Sequence, residues 1–278
     1  MDHVRWSRRP TLRKPVVVAA FEGWNDAGDA ATTAARWFSE RWGGETFAVI
    51  DPEEFYDFTS TRPQVHLAEG MQREIVWPGN ELSSMTVPGT ERDVVVLLGT
   101  EPQLRWRTFC DQVVDVARAH DASLVITLGA LLAEVAHTRP VSVIGTGYDR
   151  EMVERLQLVK STYEGPTGIV GVLHDACHRA GLASASLWAA VPTYVPGAPS
   201  PKAALALVER TSEMLEVPVI TTDLEIASAS YERQISELVD ADEETAAYVA
   251  QLEQRHDAGD TSTGTSLIDE VERFLRDQ

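Results

Sequence analysis

The chain has 278 residues, 44% hydrophobic and 24% charged, the composition of an ordinary soluble globular protein long enough to bury a full core, either as one large α/β domain or as one domain with an appendage. Its 24 Lys and Arg face 43 Asp and Glu, and the formal charge of −19 opposes nucleic acid and anionic membrane surfaces, so neither is expected as a partner. The acid is unevenly placed: residues 220–278 hold 15 Asp and Glu against four Arg, a solvated acidic surface, whereas residues 1–14 hold five basic residues and one acidic.

In chain order, residues 16–21 (VVVAAF) form a β-branched apolar run that reads as a strand buried on both faces. A helical period follows, with Ala27, Ala31, Ala34, Phe38 and Trp42 on one stripe and Asn25 or Asp26 as N-cap. Gly23 allows the turn between them, and Gly28 keeps the first helical turn narrow enough for another backbone or a ligand to approach. Residues 45–50 read as a second strand, and 65–67 with 73–77 as short strands of a hairpin leaving the sheet. Residues 93–98 and 123–128 are buried strands flanking a helix over about 104–120, with Phe109, Val113, Val116 and Ala117 inward. A short helical turn is expected over 129–136, a strand over 141–144 and a helix over 149–156 capped by Asp149. Residues 161–171 read as a glycine-spaced loop before a helix that ends at Gly181. The last sheet strand is 187–191, and a helix over 202–215 covers the sheet.

This alternation over residues 1–218 predicts a three-layer α/β/α domain with a mainly parallel sheet. Residues 219–256 read as a helical C-terminal extension, with Tyr231, Ile235, Leu238 and Val239 on one inner face and Ala247, Tyr248 and Leu252 on another. Residues 257–264 read as a flexible linker and 265–278 as a tail helix marked by Leu267, Val271, Phe274 and Leu275.

Polar clusters follow the expected carboxyl ends of several strands. They are Glu22, Trp24, Asn25 and Asp26; Glu101 with Arg105 and Arg107; His137 with Arg139; Tyr163, Glu164 and Thr167; and Thr193 with Tyr194. Adjacent parallel strands would bring these clusters to one crevice, the place where open α/β sheets bind ligands. Glu22, Asp26 and Asp29 together repel a phosphate and suit a cation, an amine or a partner arginine. Both signs of charge suit a zwitterionic small molecule or a polar partner surface; the alternative is a structural network in which Glu22 and Glu101 pair with Arg105, Arg107 and Arg139.

No residue earns a catalytic assignment, because the chain has no Gly-x-Ser-x-Gly elbow and neither Cys110 nor Cys177 has a nucleophile's context. No cofactor is expected. Gly165, Gly168 and Gly171 offer free amides to an anion but lack the Gly-Lys-Ser/Thr ending of a P-loop, and Arg150 stands where a dinucleotide fingerprint needs its third glycine. His174 and His178 share a helix face without the intervening glutamate of a zincin, so no metal is expected either. Two cysteines make no disulfide framework, which fits a reducing cytoplasm, and no apolar run approaches a membrane span or a signal-peptide core.

The strings FEGWNDAGDAA, EPQLRWRTFC, LGALLAEVAHTRPV, YEGPTGIVGVL, WAAVPTYVPGAPSPKA and YERQISELV, in that order across residues 16–256, resemble the actinobacterial branch of the proteasome assembly chaperone 2 family. The resemblance implies a phosphorylase/hydrolase-like α/β/α fold with a helical extension, a homo-oligomer and a proteasome-related partner, and no established reaction. Two departures stand out: Thr193 occupies a position where relatives carry histidine, and the ending Leu275-Arg276-Asp277-Gln278 is not the hydrophobic-tyrosine tail with which related archaeal chaperones dock on proteasome rings. The expected function is that of a cytoplasmic chaperone-like protein acting by protein–protein or weak ligand binding. The alternative is a small-molecule enzyme or sensor, phosphorylase/hydrolase-like or amide-bond-related, using the polar crevice.

Overall fold

The computed structural model describes residues 2–67, 73–161 and 163–258. The chain runs β1 (Val4–Trp6), β2 (Val16–Glu22), α1 (Ala30–Arg41), β3 (Glu45–Ile50), β4 (Gln64–Leu67), β5 (Arg73–Val76), β6 (Asn80–Thr86) and β7 (Asp93–Thr100). It continues through α2 (Trp106–Ala119), β8 (Leu124–Ala133), β9 (Val143–Gly147), α3 (Arg150–Arg155), α4 (Ile169–Arg179), β10 (Ser184–Pro192), α5 (Pro201–Leu215), α6 (Thr222–Asp240) and α7 (Glu243–Asp257).

Eight strands form one sheet in the order β1-β3-β6-β7-β2-β8-β10-β9. The central block β7-β2-β8-β10 is parallel, and β6 and β9 close it on either side with antiparallel pairs. Since β3 is antiparallel to β6, five of the eight strands share a direction, and the sheet is mixed but mainly parallel. Side chains at alternate positions of β2 enter opposite cores. Val16, Val18 and Ala20 join Ala34 and Phe38 of α1 and Leu207 of α5; Val17, Ala19 and Phe21 join Phe109 of α2 and Leu173 of α4. Helices thus cover both faces, the three-layer α/β/α arrangement that the alternation of elements requires. At the far end, Tyr231, Ile235 and Val239 of α6 pack with Val249 and Leu252 of α7 and with Ala136.

Several local expectations need correction. Residues 129–133 are not a helical turn: β8 continues through Ala133, pairing in parallel with residues 188–192 of β10. Gly129 permits this because the Trp188 ring lies over it, where a Cβ would stand 2.6 Å from the indole. The strand expected over 141–144 is shifted to Val143–Gly147 and forms the antiparallel edge. Gly171 lies inside α4 rather than in the preceding loop. On the C-terminal helices Leu238 and Ala247 face solvent, and Val249 takes the inner position. The sequence pattern does not announce the strands β1 and β6. The expected tail helix 265–278 and most of the linker 257–264 lie outside the described residues; Asp257 itself closes α7.

The predicted hairpin is present as the two-stranded sheet β4–β5, separate from the main sheet, and its side chains on both strands are exposed.

Candidate functional site

The turn from β2 into α1 positions the first group of polar side chains. Gly23 takes φ +127°, which an L side chain seldom adopts, and a 3-10 turn over Ala27–Asp29 precedes α1. Asp26 caps α1 across that turn: its Oδ1 accepts from the amides of Ala31 (2.7 Å) and Thr32 (3.2 Å), and its Oδ2 accepts from the Thr32 hydroxyl. Asp29, adjacent to the helix, makes no side-chain cap. Burial pushes the Asp26 carboxyl up to about 6 despite these three donors. Ser200 donates its amide to the Gly28 carbonyl at 2.7 Å, so the backbone approaching this narrow turn is the chain's own.

Asn25, 1% exposed, donates its Nδ2 to Glu101 Oε1 at 2.7 Å. The same oxygen accepts from the Ile169 amide at 2.9 Å, in the first turn of α4. The anion position at this helix N-terminus is therefore filled by Glu101, and the glycine spacing that suggested an anion site serves a contact within the chain. Gly168 is needed for it, since a Cβ there would overlap the Asn25 amide. Glu22, the last residue of β2, is exposed, accepts from the Thr100 hydroxyl at 3.3 Å and lies 3.7 Å from Arg36.

Trp24 projects from this turn and is part of the rim of a 490 Å³ cavity bounded by α4, β9, β10 and the segment before α4. Tyr163 and Thr167 line it as well, so the structure brings three of the sequence-selected residues together there. Its remaining aromatic walls are Tyr148 and Trp188, and Lys160, His174 and Ser186 add polar groups. The sequence pattern does not single out Tyr148, Lys160, Ser186 or Trp188, and it singles out His174 only as half of a histidine pair. Gly129, which the sequence pattern assigns to a helical turn after the strand over 123–128, is in fact the point of close approach by Trp188. Tyr148 stacks on both His174 (4.7 Å between centroids) and His178 (4.2 Å), so those imidazoles form a ring stack. Burial holds His174 down at about 4.

The other candidates lie elsewhere. Arg105 turns to Glu54, and Arg107 and Glu164 are exposed. His137 is buried at a junction with the C-terminal helices. Its amide donates to the Tyr194 hydroxyl (2.7 Å), which in turn donates to His137 Nδ1 (2.8 Å); His137 Nε2 donates to Ser236 of α6 at 2.9 Å. Burial together with Lys202 keeps the His137 pKa below its ordinary value, which favours the neutral imidazole in this ring. Arg139 reaches α7, meeting Glu253 at 3.2 Å and Asp257 at 2.6 Å. Thr193 donates its amide to the Ala133 carbonyl at 3.1 Å.

A family model described as the PAC2 family matches residues 20–239. The chain belongs to the PAC2 family. Among solved structures it is similar to a PAC2 family protein from Streptomyces avermitilis, with 45% identity and a TM-score of 0.78 over 84% of this chain and 99% of that one. A proteasome-assembly chaperone homologue from Mycobacterium tuberculosis matches with the same identity, TM-score and coverage. A second M. tuberculosis protein, of unknown function, matches at 27% identity and TM-score 0.85 over 98% of this chain and 95% of its own. No curated protein matches the chain. The PAC2 match includes Trp24, the Asn25–Glu101 contact, the cavity and the His137 junction, and stops before α7.

Proposed function

We propose that this PAC2 protein acts in the cytoplasm as a proteasome-assembly-chaperone-like protein, by binding other proteins, and that it self-associates as a homo-oligomer. The resemblance to an assembly-chaperone homologue at 45% identity supports a proteasome-related partner. The observation that carries a binding role is the β4–β5 hairpin, on which Leu67 is 75% exposed, Val65 58%, Ile75 54% and the following Trp77 50%. Apolar side chains gathered on one projecting element mark an interaction surface, and a two-stranded hairpin also leaves strand edges open for pairing. The ionisable groups give the reading further support. Glu101 is tied to Asn25 and α4, His137 is closed into a hydrogen-bonded ring, and burial pushes Cys110 and Cys177 up to about 12, away from nucleophilic use.

The test is sedimentation velocity of the full chain with purified proteasome α and β subunits from the same source. A complex with either subunit supports the reading, and independent sedimentation of all components at micromolar concentrations contradicts it.

A further inference from the structure

The cavity beneath Trp24 lies at β9–β10, on the opposite half of the sheet from the β4–β5 hairpin, whose groove is lined by β3, β6 and β7. Its chemistry is therefore separate from protein docking at that hairpin. Four aromatic rings line it, those of Trp24, Tyr148, Tyr163 and Trp188. Its 490 Å³ is within the range of small-molecule sites. Rings of this kind favour a flat apolar face through stacking.

The polar groups on the same walls are biased toward donors. The Ser186 hydroxyl accepts from Thr127 Oγ1–H at 2.9 Å and from Trp188 Nε1–H at 3.0 Å, so its own proton remains to be given. Lys160 lines the cavity and makes no ion pair among the described residues. The carboxylate on this wall, Asp175, is held by Arg179 at 2.9 Å, which offsets its charge. His174, 7% exposed, keeps its Nδ1 buried and without a hydrogen-bond partner.

We propose that this cavity binds a planar aromatic or heteroaromatic ring bearing one anionic group, with the ring among Trp24, Tyr148 and Trp188 and the anion at Lys160. A carboxylate and a phosphate share that chemistry, so the test has an arm for each.

The full chain is titrated by isothermal calorimetry with indole-3-acetate against neutral indole-3-acetamide, and with adenosine 5′-monophosphate against adenosine. The expected result is saturable binding of at least one anionic probe with Kd at or below about 1 mM, roughly tenfold weaker for its neutral counterpart. Lys160→Ala, at an exposed position where folding is undisturbed, should weaken the anionic probe by a similar factor while leaving the neutral one unchanged. Absence of binding by both anions, equal binding of neutral and anionic forms, or full affinity in Lys160→Ala overturns the proposal. An anionic probe that binds independently of the hairpin substitutions Leu67→Ser and Trp77→Ser supports it whether or not a protein partner is found.

Discussion

Asn25 and Glu101 meet at 2.7 Å where β2 and β7 end, and the Glu101 oxygen that accepts the Asn25 amide also accepts the first backbone N–H of α4. One carboxylate thus joins two loops and a helix N-terminus. Glu101→Ala should leave a buried amide and an orphaned helix donor without a partner, lowering stability by about 2–4 kcal/mol in urea unfolding, whereas Glu101→Gln, which keeps an acceptor, should cost about 1 kcal/mol. Equal losses for the two variants would show that the contact carries no such energy.

Two buried groups act on the pH dependence of stability with opposite sign. His174 is held at about 4 against an ordinary 6.5, so its neutral form stabilises the fold fully above pH 6.5, and that contribution is lost as pH falls toward 4, by at most roughly 3 kcal/mol. Asp26 is raised to about 6, so its contribution is present below its ordinary 3.8 and is lost as pH rises through 6. His174→Gln should therefore flatten the decline on acidification between pH 6.5 and 4, and Asp26→Asn should steepen it between pH 6 and 4. Urea midpoints at half-unit pH steps check both signs.

Tyr194 links the β10 loop to His137, and His137 links onward to α6. Removing its hydroxyl in Tyr194→Phe leaves the His137 amide and Nδ1 unpaired, with a cost of about 1–3 kcal/mol. Hydrogen exchange in α6 should accelerate while the central strands keep their protection. Arg139→Ala should affect chiefly α7, through loss of Glu253 and Asp257.

Gly129 lies under the Trp188 ring within a paired strand, and a methyl group there would stand 2.6 Å from the indole. Gly129→Ala should displace Trp188, reduce stability by about 1–3 kcal/mol and shift tryptophan fluorescence. An unchanged emission spectrum would mean that the ring does not rest on this backbone.

The central sheet was legible chiefly through the β-branched runs of β2, β7 and the start of β8, which in a parallel block must be apolar on both faces. Asp149 was legible as a cap because capping is local, and Asp26 reaches its amides within six residues. Elements set by long-range pairing were hidden. The polar strand NELSSMT of β6 buries Asn80 only because Tyr56 and the Thr100 carbonyl accept its amide protons at 2.6 and 3.0 Å. At the carboxyl ends, residue type indicated charge but not partner. Arg105 turns to Glu54 and Arg139 to α7, contacts fixed by topology, while Tyr148 and Trp188 meet one cavity through the β9–β10 register, in which Trp188 lies beside Ile144.

The most direct test of a protein-binding role compares the native chain with the double variant Leu67→Ser and Trp77→Ser for affinity to purified proteasome subunits. Both side chains are at least half exposed, so the melting temperature should stay within about 2 °C while affinity falls roughly tenfold or more. Undiminished affinity in a stably folded double variant would contradict docking through the hairpin.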